Sequence, residues 1–109
     1  MKTDNIFQYE TGLLNPESPE LMTALIESGA VSIERIVSKG HTSPVSGWYD
    51  QAKNEWVMVL KGEAVITFED GREIRLLEGA YVNIPAHCKH RVSWTAPDIE
   101  TIWLAVYYP

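Results

Sequence analysis

His90 and Glu55 are the two side chains whose type and position most favour chemistry. His90 alternates with Val92 and Trp94 along a predicted strand, so its ring is expected inside, where an imidazole needs a hydrogen-bond partner or a metal. Glu55 opens the mostly apolar run EWVMVLK, and an inward carboxylate there is costly unless it is paired or coordinated. Two interpretations follow: Glu55 and His90 pair with each other, or both bind a metal ion.

The elements that must position these side chains are mostly strands. From Ala30 onward the apolar residues recur with a period of two, and Asp70–Gly71 is a strong signal for a two-residue hairpin turn. Short strands at regular spacing, joined by tight turns, predict a β-sandwich or barrel. The predicted strands cover residues 31–38, 48–50, 55–61, 63–69, 74–76, 80–84, 90–94 and 101–108.

The first residues of the chain show a different pattern. Ser18 followed by Pro19 is typical of a helix N-terminus, the apolar residues within 21–26 have helical spacing, and Gly29 stands where a helix would end. We therefore expect an N-terminal extension, residues 1–29, with one short helix at 19–28. Residues 30–109 are expected to form the barrel.

Composition limits the classes of function. The chain has 109 residues, a net charge of −6 and one cysteine. Nucleic-acid-binding proteins normally present a basic face to phosphates, so a nucleic-acid partner is not expected. The longest apolar run, residues 56–60, is far shorter than the roughly 20 residues that span a bilayer, so no membrane partner is expected either. A single cysteine fits a reducing cytoplasm.

Two motifs resemble those of the cupins. In GAYVNIPAHCKH, Gly79 is followed six residues on by Pro85 and five further on by His90, as in the second cupin motif. Residues 55–64 resemble the end of the first motif, in which a glutamate opens a strand that runs to a glycine turn. The resemblance implies an all-β jelly-roll barrel, a homodimer, and in many members a divalent metal held by three histidines and a glutamate.

The sequence departs from the family pattern at four positions. Trp48 and Asp50 stand where the first motif has two histidines, His87 stands in place of a glycine, and Trp94 stands in place of an asparagine. Of the four usual ligands only Glu55 and His90 are therefore carried over.

A metal site remains one alternative. If Asp50 also points inward, it forms with Glu55 and His90 a set of two carboxylates and one imidazole, which suits Mn²⁺, Fe²⁺ or Zn²⁺. The protein would then be a metal-dependent small-molecule enzyme of isomerase or oxygenase type. His87 would be a fourth ligand or an acid or base at the barrel mouth; otherwise it is an exposed turn residue.

The favoured hypothesis is a cupin that binds a small molecule in the barrel, with no activity assigned and turnover not required. Trp48 and Trp94 are expected inside, where with His87 they would line the pocket or simply fill the core. Residues 55–60 and 101–108 are apolar on both faces, which favours a homodimer because the outer face needs a cover. No role is expected for His41 or Cys88.

Overall fold

The computed structural model describes residues 1–109, which form eight β-strands and no helix. One sheet has five strands in the order β1-β2-β8-β3-β6, and the other has three in the order β5-β4-β7, with antiparallel neighbours throughout. The predicted all-β barrel architecture is confirmed. The strands are β1 (Leu21–Ser28), β2 (Val31–Ser38), β3 (Asn54–Lys61), β4 (Ala64–Phe68), β5 (Glu73–Leu76), β6 (Tyr81–Ile84), β7 (His90–Thr95) and β8 (Thr101–Tyr108).

The core lies between the two sheets and follows the alternation of side chains along each strand. In β3, Glu55, Val57 and Val59 are buried, whereas Trp56 and Met58 are half-buried on the opposite face. Successive side chains of a strand point to opposite faces, so one register places every second residue inside. Nine buried apolar residues form a single cluster: Val57, Val59, Ala64, Ile66, Phe68, Leu76, Ile84, Trp103 and Ala105.

The expected helix at 19–28 is wrong, because residues 21–28 form strand β1, which pairs with β2 at the edge of the larger sheet. The turn between them has two central residues, and the first, Gly29, has a φ of +57°. A type II′ hairpin favours glycine at that position, just as a helix end does. A bulge at Leu25 also interrupts the alternation of β1 and leaves apolar residues at helix-like spacing.

The predicted strand at 48–50 is also absent. Tyr49 makes one isolated bridge with His90, and no ladder continues on either side of it. Gln51 and Tyr49, reached by counting back from Glu55 in steps of two, face the interior, whereas Trp48 and Asp50 have the opposite parity and do not.

The N-terminal segment is tied to the barrel by Arg35 of β2. The guanidinium donates to the carbonyl oxygens of Ile6 at 3.2 Å and Gln8 at 3.5 Å, and it lies 4.9 Å from the ring centroid of Tyr9. The Tyr9 hydroxyl in turn donates to Glu100 at 2.6 Å. These contacts fix the path of the segment before β1.

No stretch of the chain forms a helix with the length and hydropathy needed to cross a bilayer.

Candidate functional site: a cavity inside the barrel

A cavity of about 170 Å³ lies between the two sheets. Most of its wall is apolar and includes Val57, Ile66 and Trp103. A concave apolar pocket with a few convergent polar groups is the usual form of a small-molecule site. The polar and aromatic-hydroxyl side chains on the wall are Glu20, Tyr49, Gln51, Glu55, His90 and Tyr107.

Glu55 and His90 meet on the cavity wall. The Nε2 atom of His90 lies 3.4 Å from Oε1 of Glu55, and the two residues are only 4% and 9% exposed. Gln51 donates from its amide nitrogen to the same carboxylate oxygen at 2.8 Å. Nδ1 of His90 donates a hydrogen bond to the backbone carbonyl of Cys88 at 2.8 Å. Nε2 is therefore the ring atom directed at Glu55.

The contacts of His90 with Glu55 and Cys88 determine the direction in which its pKa shifts. Burial lowers the pKa of His90, but the hydrogen bond to Glu55, the Cys88 carbonyl and the negative charge of Glu55 together outweigh burial and raise it. Protonated His90 and ionised Glu55 therefore stabilise each other. The interpretation that the two residues pair agrees with this geometry.

Carboxylates dominate the electrostatics around this pair. Burial, followed by the charges of Glu55 and Glu34, raises the pKa of Tyr107, with smaller contributions from Tyr49 and Glu20. Burial and the charge of Glu55 also raise the pKa of Glu34 on β2. The carboxylates of Glu34 and Glu55 therefore place negative charge near this pair.

Asp50 and His87 lie outside the cavity. The two exposed side chains contact each other, with Nδ1 of His87 2.7 Å from Oδ1 of Asp50. His87 sits in the turn before β7 with a φ of +61°, and its amide donates to the carbonyl of Gln51 at 2.7 Å. Neither side chain lines the wall, so the structure does not bring Asp50 together with Glu55 and His90.

Trp48 and Trp94, expected inside, both lie on the outside. The Trp48 ring packs under Arg91 at 4.7 Å, and Trp94, 37% exposed, lies under Arg75 at 5.6 Å. In β7 a bulge at Ser93 makes Val92 pair with Ile66 and Trp94 pair with Val65. The extra residue reverses the alternation, so His90 and Val92 face the cavity and Trp94 does not.

Four polar or aromatic side chains of the wall are not among the residues expected from the sequence: Glu20, Tyr49, Gln51 and Tyr107. Glu20 was hidden by the helix prediction for its segment. Tyr107 pairs with Glu55 across β8 and β3, so pairing these two strands would have revealed it. Tyr49 and Gln51 precede β3 and share the parity of Glu55, so counting back from Glu55 in steps of two would have indicated their direction.

His41 and Cys88, for which no role was expected, lie in structural positions. His41 is 7% exposed; its Nδ1 accepts from the amide of Lys39 at 2.8 Å and its Nε2 donates to the carbonyl of Ser18 at 2.7 Å. Both ring nitrogens are thus used to hold the chain before β1. Cys88 is partly buried and packs against the core cluster.

The donor set for a divalent metal is incomplete. Across residues 1–109, no three His, Cys, Asp or Glu side chains are placed so that they could hold a metal ion together. Protein sites for zinc and similar ions normally supply at least three ligands, whereas Glu55 and His90 supply two. The residues present therefore do not fit a tightly held ion.

Solved structures from several bacteria share this fold. A protein from Ralstonia eutropha JMP134, provisionally named a mannose-6-phosphate isomerase, is 38% identical over 99% of this chain and 98% of that chain, with a TM-score of 0.86. A cupin superfamily protein from Desulfitobacterium hafniense DCB-2 is 24% identical over 88% and 83% of the two chains, with a TM-score of 0.70. A DMSP lyase from Ruegeria pomeroyi DSS-3 is 20% identical over 83% and 47%, with a TM-score of 0.68.

No functionally curated protein matches the chain significantly. The family model of the cupin domain, in contrast, matches residues 35–107, which contain β3 to β8 and both segments that resemble cupin motifs. The match covers more than half of the chain, and the Ralstonia protein extends the likeness over nearly its full length. The chain therefore belongs to the cupin domain family.

Proposed function

We propose that the protein binds a small molecule in the cavity of its barrel. The observation that carries the proposal is the wall itself, where Glu55, His90 and Gln51 converge on an otherwise apolar surface. Hydrogen-bonding groups held by neighbouring side chains orient a ligand, while the apolar wall contributes the free energy of burial.

The experiment is a titration with a set of small polar molecules, followed by two-dimensional NMR. We expect shift changes to concentrate on His90, Tyr107 and the indole of Trp103. Val92→Phe places a larger side chain in the cavity and should weaken binding, whereas Val65→Phe, at the position paired with the outward-facing Trp94, should not. Shift changes confined to the outer surface, or equal weakening in both variants, would contradict the proposal.

A hexose phosphate, suggested by the name of the Ralstonia protein, suits this cavity poorly. No lysine or arginine lines the wall, whereas phosphate sites are normally built from such cations or from helix N-termini. Glu20 and Glu55 would repel a phosphate group. The similarity to that protein therefore supports the fold rather than this substrate.

A metal-dependent enzyme of isomerase or oxygenase type is the second candidate. One observation favours it. A histidine that binds a metal typically donates a hydrogen bond from its second ring nitrogen to a backbone carbonyl or a carboxylate, and His90 donates such a bond to Cys88. The missing third ligand opposes it, because Asp50 contacts His87 instead.

Metal addition distinguishes the two candidates. Ligand linkage adds about 2.7 kcal/mol of stability at a hundredfold excess over the dissociation constant. We expect no rise in melting temperature with Mn²⁺, Fe²⁺ or Zn²⁺ at millimolar concentration. A rise that Glu55→Gln and His90→Ala both abolish would establish the metal-dependent candidate.

We further propose a homodimer formed through the outer face of the five-stranded sheet. Trp56, Met58, Leu104 and Val106 are half-buried there, and Tyr81, 65% exposed, lies 5.4 Å from the Trp56 ring between centroids. An apolar sheet face of this kind usually marks an interface. Light scattering should give twice the chain mass of 12.3 kDa, and Met58→Asp should give the monomer. A monomeric native chain would contradict the proposal.

A further inference from the structure

We propose that the cavity takes a small organic cation of the alkylammonium class. The inference rests on the proposed function and narrows it to one class of ligand. Two carboxylates and three aromatic side chains line the wall, and no lysine or arginine lies among the lining residues.

The two carboxylates, Glu20 and Glu55, differ in how far their charge is balanced. Glu55 faces His90, which can offset its charge when protonated. Glu20 accepts a hydrogen bond from the hydroxyl of Ser38, which in turn accepts from the indole of Trp103 at 3.1 Å. These neutral donors hold the carboxylate of Glu20 in place and leave its charge unbalanced.

No nearby cation offsets this excess. Arg35, the adjacent cation on β2, is occupied with the N-terminal segment and with Thr23 and does not line the cavity. Glu34, its neighbour along the strand, adds negative charge: burial first, and then the charges of Glu55 and Glu34, raise the pKa of Tyr107. A cationic ligand would be attracted into the cavity and an anionic ligand would be repelled.

The aromatic side chains favour an alkylated ammonium group over a bare inorganic cation. Tyr49, Trp103 and Tyr107 all line the cavity. The negative faces of aromatic rings attract ammonium groups, and quaternary ammonium ligands are commonly recognised by such walls. Methyl groups on the nitrogen would also contact Val57 and Ile66. A hydrated metal ion would be disfavoured there, because its water molecules would meet apolar side chains with which they form no hydrogen bonds.

The volume sets the size of the ligand. A dry cavity of about 150 Å³ accommodates benzene, so the volume of about 170 Å³ here suits a molecule of roughly six to ten non-hydrogen atoms. Simple alkylammonium compounds fall within this range. A phosphorylated hexose is considerably larger.

The test compares choline with 3,3-dimethylbutan-1-ol, which has the same shape but a carbon atom in place of the charged nitrogen. Both are titrated into the full chain and followed by the NMR signals of His90, Tyr107 and the Trp103 indole. We expect choline to bind about tenfold more tightly than the neutral alcohol, because a desolvated cation gains both the charge and the ring interactions.

Three variants test the assignment of the charge. Glu20→Gln and Glu55→Gln should each reduce the ratio of the two affinities severalfold, whereas Glu73→Gln, at an exposed position on β5, should leave it unchanged. Because each variant is judged by a ratio, damage to the cavity that weakens both ligands equally does not imitate the expected result. If one cavity variant fails to fold, the other provides the same measurement.

The outcomes separate this inference from the proposed function. Equal binding of choline and the alcohol, or tighter binding of the alcohol, would overturn the cation inference and leave small-molecule binding intact. An affinity ratio that Glu73→Gln lowers as much as the cavity variants would also overturn it. If neither compound shifts the cavity signals at tens of millimolar, the cation inference fails, and small-molecule binding is then decided by the polar-molecule titration.

Discussion

The two ends of the barrel differ in packing although β3 and β8 run through both. At one end Val59, Ala64 and Thr101 are completely buried. At the other end the same two strands bring Glu55 opposite Tyr107 beside the cavity. Close packing supplies dispersion contacts that a hollow region forgoes, so the packed end contributes more to stability. The hollow end keeps polar groups available for a ligand.

Gly62 shows how tightly the packed end is built. It has a φ of +95°, and a Cβ atom placed on it would lie 2.6 Å from the Cα atom of Thr101. Both the side chain and the backbone of Thr101 occupy that space, and the backbone atom is not the far end of a flexible side chain that could move aside. The turn between β3 and β4 therefore tolerates no side chain at this position.

The largest expected effect is at this turn. Gly62→Ala should lower the free energy of unfolding by about 3–5 kcal/mol, because the strain of a positive φ adds to the overlap with Thr101. Gly71→Ala is the matched control, with a φ of +91° and no atom within 4 Å of the added Cβ. This variant should lower the free energy of unfolding by only about 1–2 kcal/mol, because backbone strain alone is added. Equal costs in urea unfolding would show that the turn is not closely packed.

A smaller effect, dependent on pH, is expected at the hollow end. The raised pKa of His90 means that its pairing with Glu55 stabilises the fold below the ordinary value of 6.5, and this stabilisation is lost as pH rises through the folded-state value. Glu55→Gln should therefore lower the free energy of unfolding by about 2 kcal/mol near pH 6 and by less near pH 9. Urea unfolding at both pH values measures the difference.

The titration of His90 provides the control for that prediction. In Glu55→Gln the pKa of His90, followed by NMR, should fall, because burial, which lowers it, remains while the contributions of Glu55 are removed. If Glu55→Gln lowers the free energy of unfolding equally at both pH values and leaves the His90 titration unchanged, Glu55 and His90 do not interact.

The smallest effect is expected outside the barrel. Trp94→Ala should lower the free energy of unfolding by about 1 kcal/mol, because the ring is partly exposed and its removal abolishes mainly the contact with Arg75. Ligand affinity at the cavity should not change. Weaker binding in this variant would indicate that Trp94 reaches the interior and that the bulge at Ser93 is misplaced.

The sequence predicts much of the fold because most strands keep their alternation. Residues 55–61 lie in β3 and a hairpin turn lies at Asp70–Gly71, as expected from local patterns, although the turn has three central residues, 69–71, rather than two. The failures in β1 and β7 have one physical cause, a bulge at Leu25 and another at Ser93. A bulge depends on the partner strand, so a single strand's pattern of apolar residues does not reveal it.

The site is predictable to a smaller extent. Glu55 and His90 stand out because a charged or titratable side chain on an apolar strand face needs a partner. Gln51 and Tyr49 lie before β3 but share the parity of Glu55, so alternation extended back from Glu55 points both side chains into the cavity. Asp50 has the opposite parity to Glu55, and its side chain accordingly lies outside the cavity, against His87.

The attachment of the N-terminal segment has an evolutionary consequence. Arg35 binds the carbonyl oxygens of Ile6 and Gln8, and His41 binds that of Ser18, so these contacts recognise main chain rather than side chains. Substitutions at those three positions leave the carbonyl acceptors in place. Those three positions are therefore free to diverge while the segment keeps its path, whereas selection should fall on Arg35, on His41 and on Tyr9, whose side chain contacts Arg35 and Glu100.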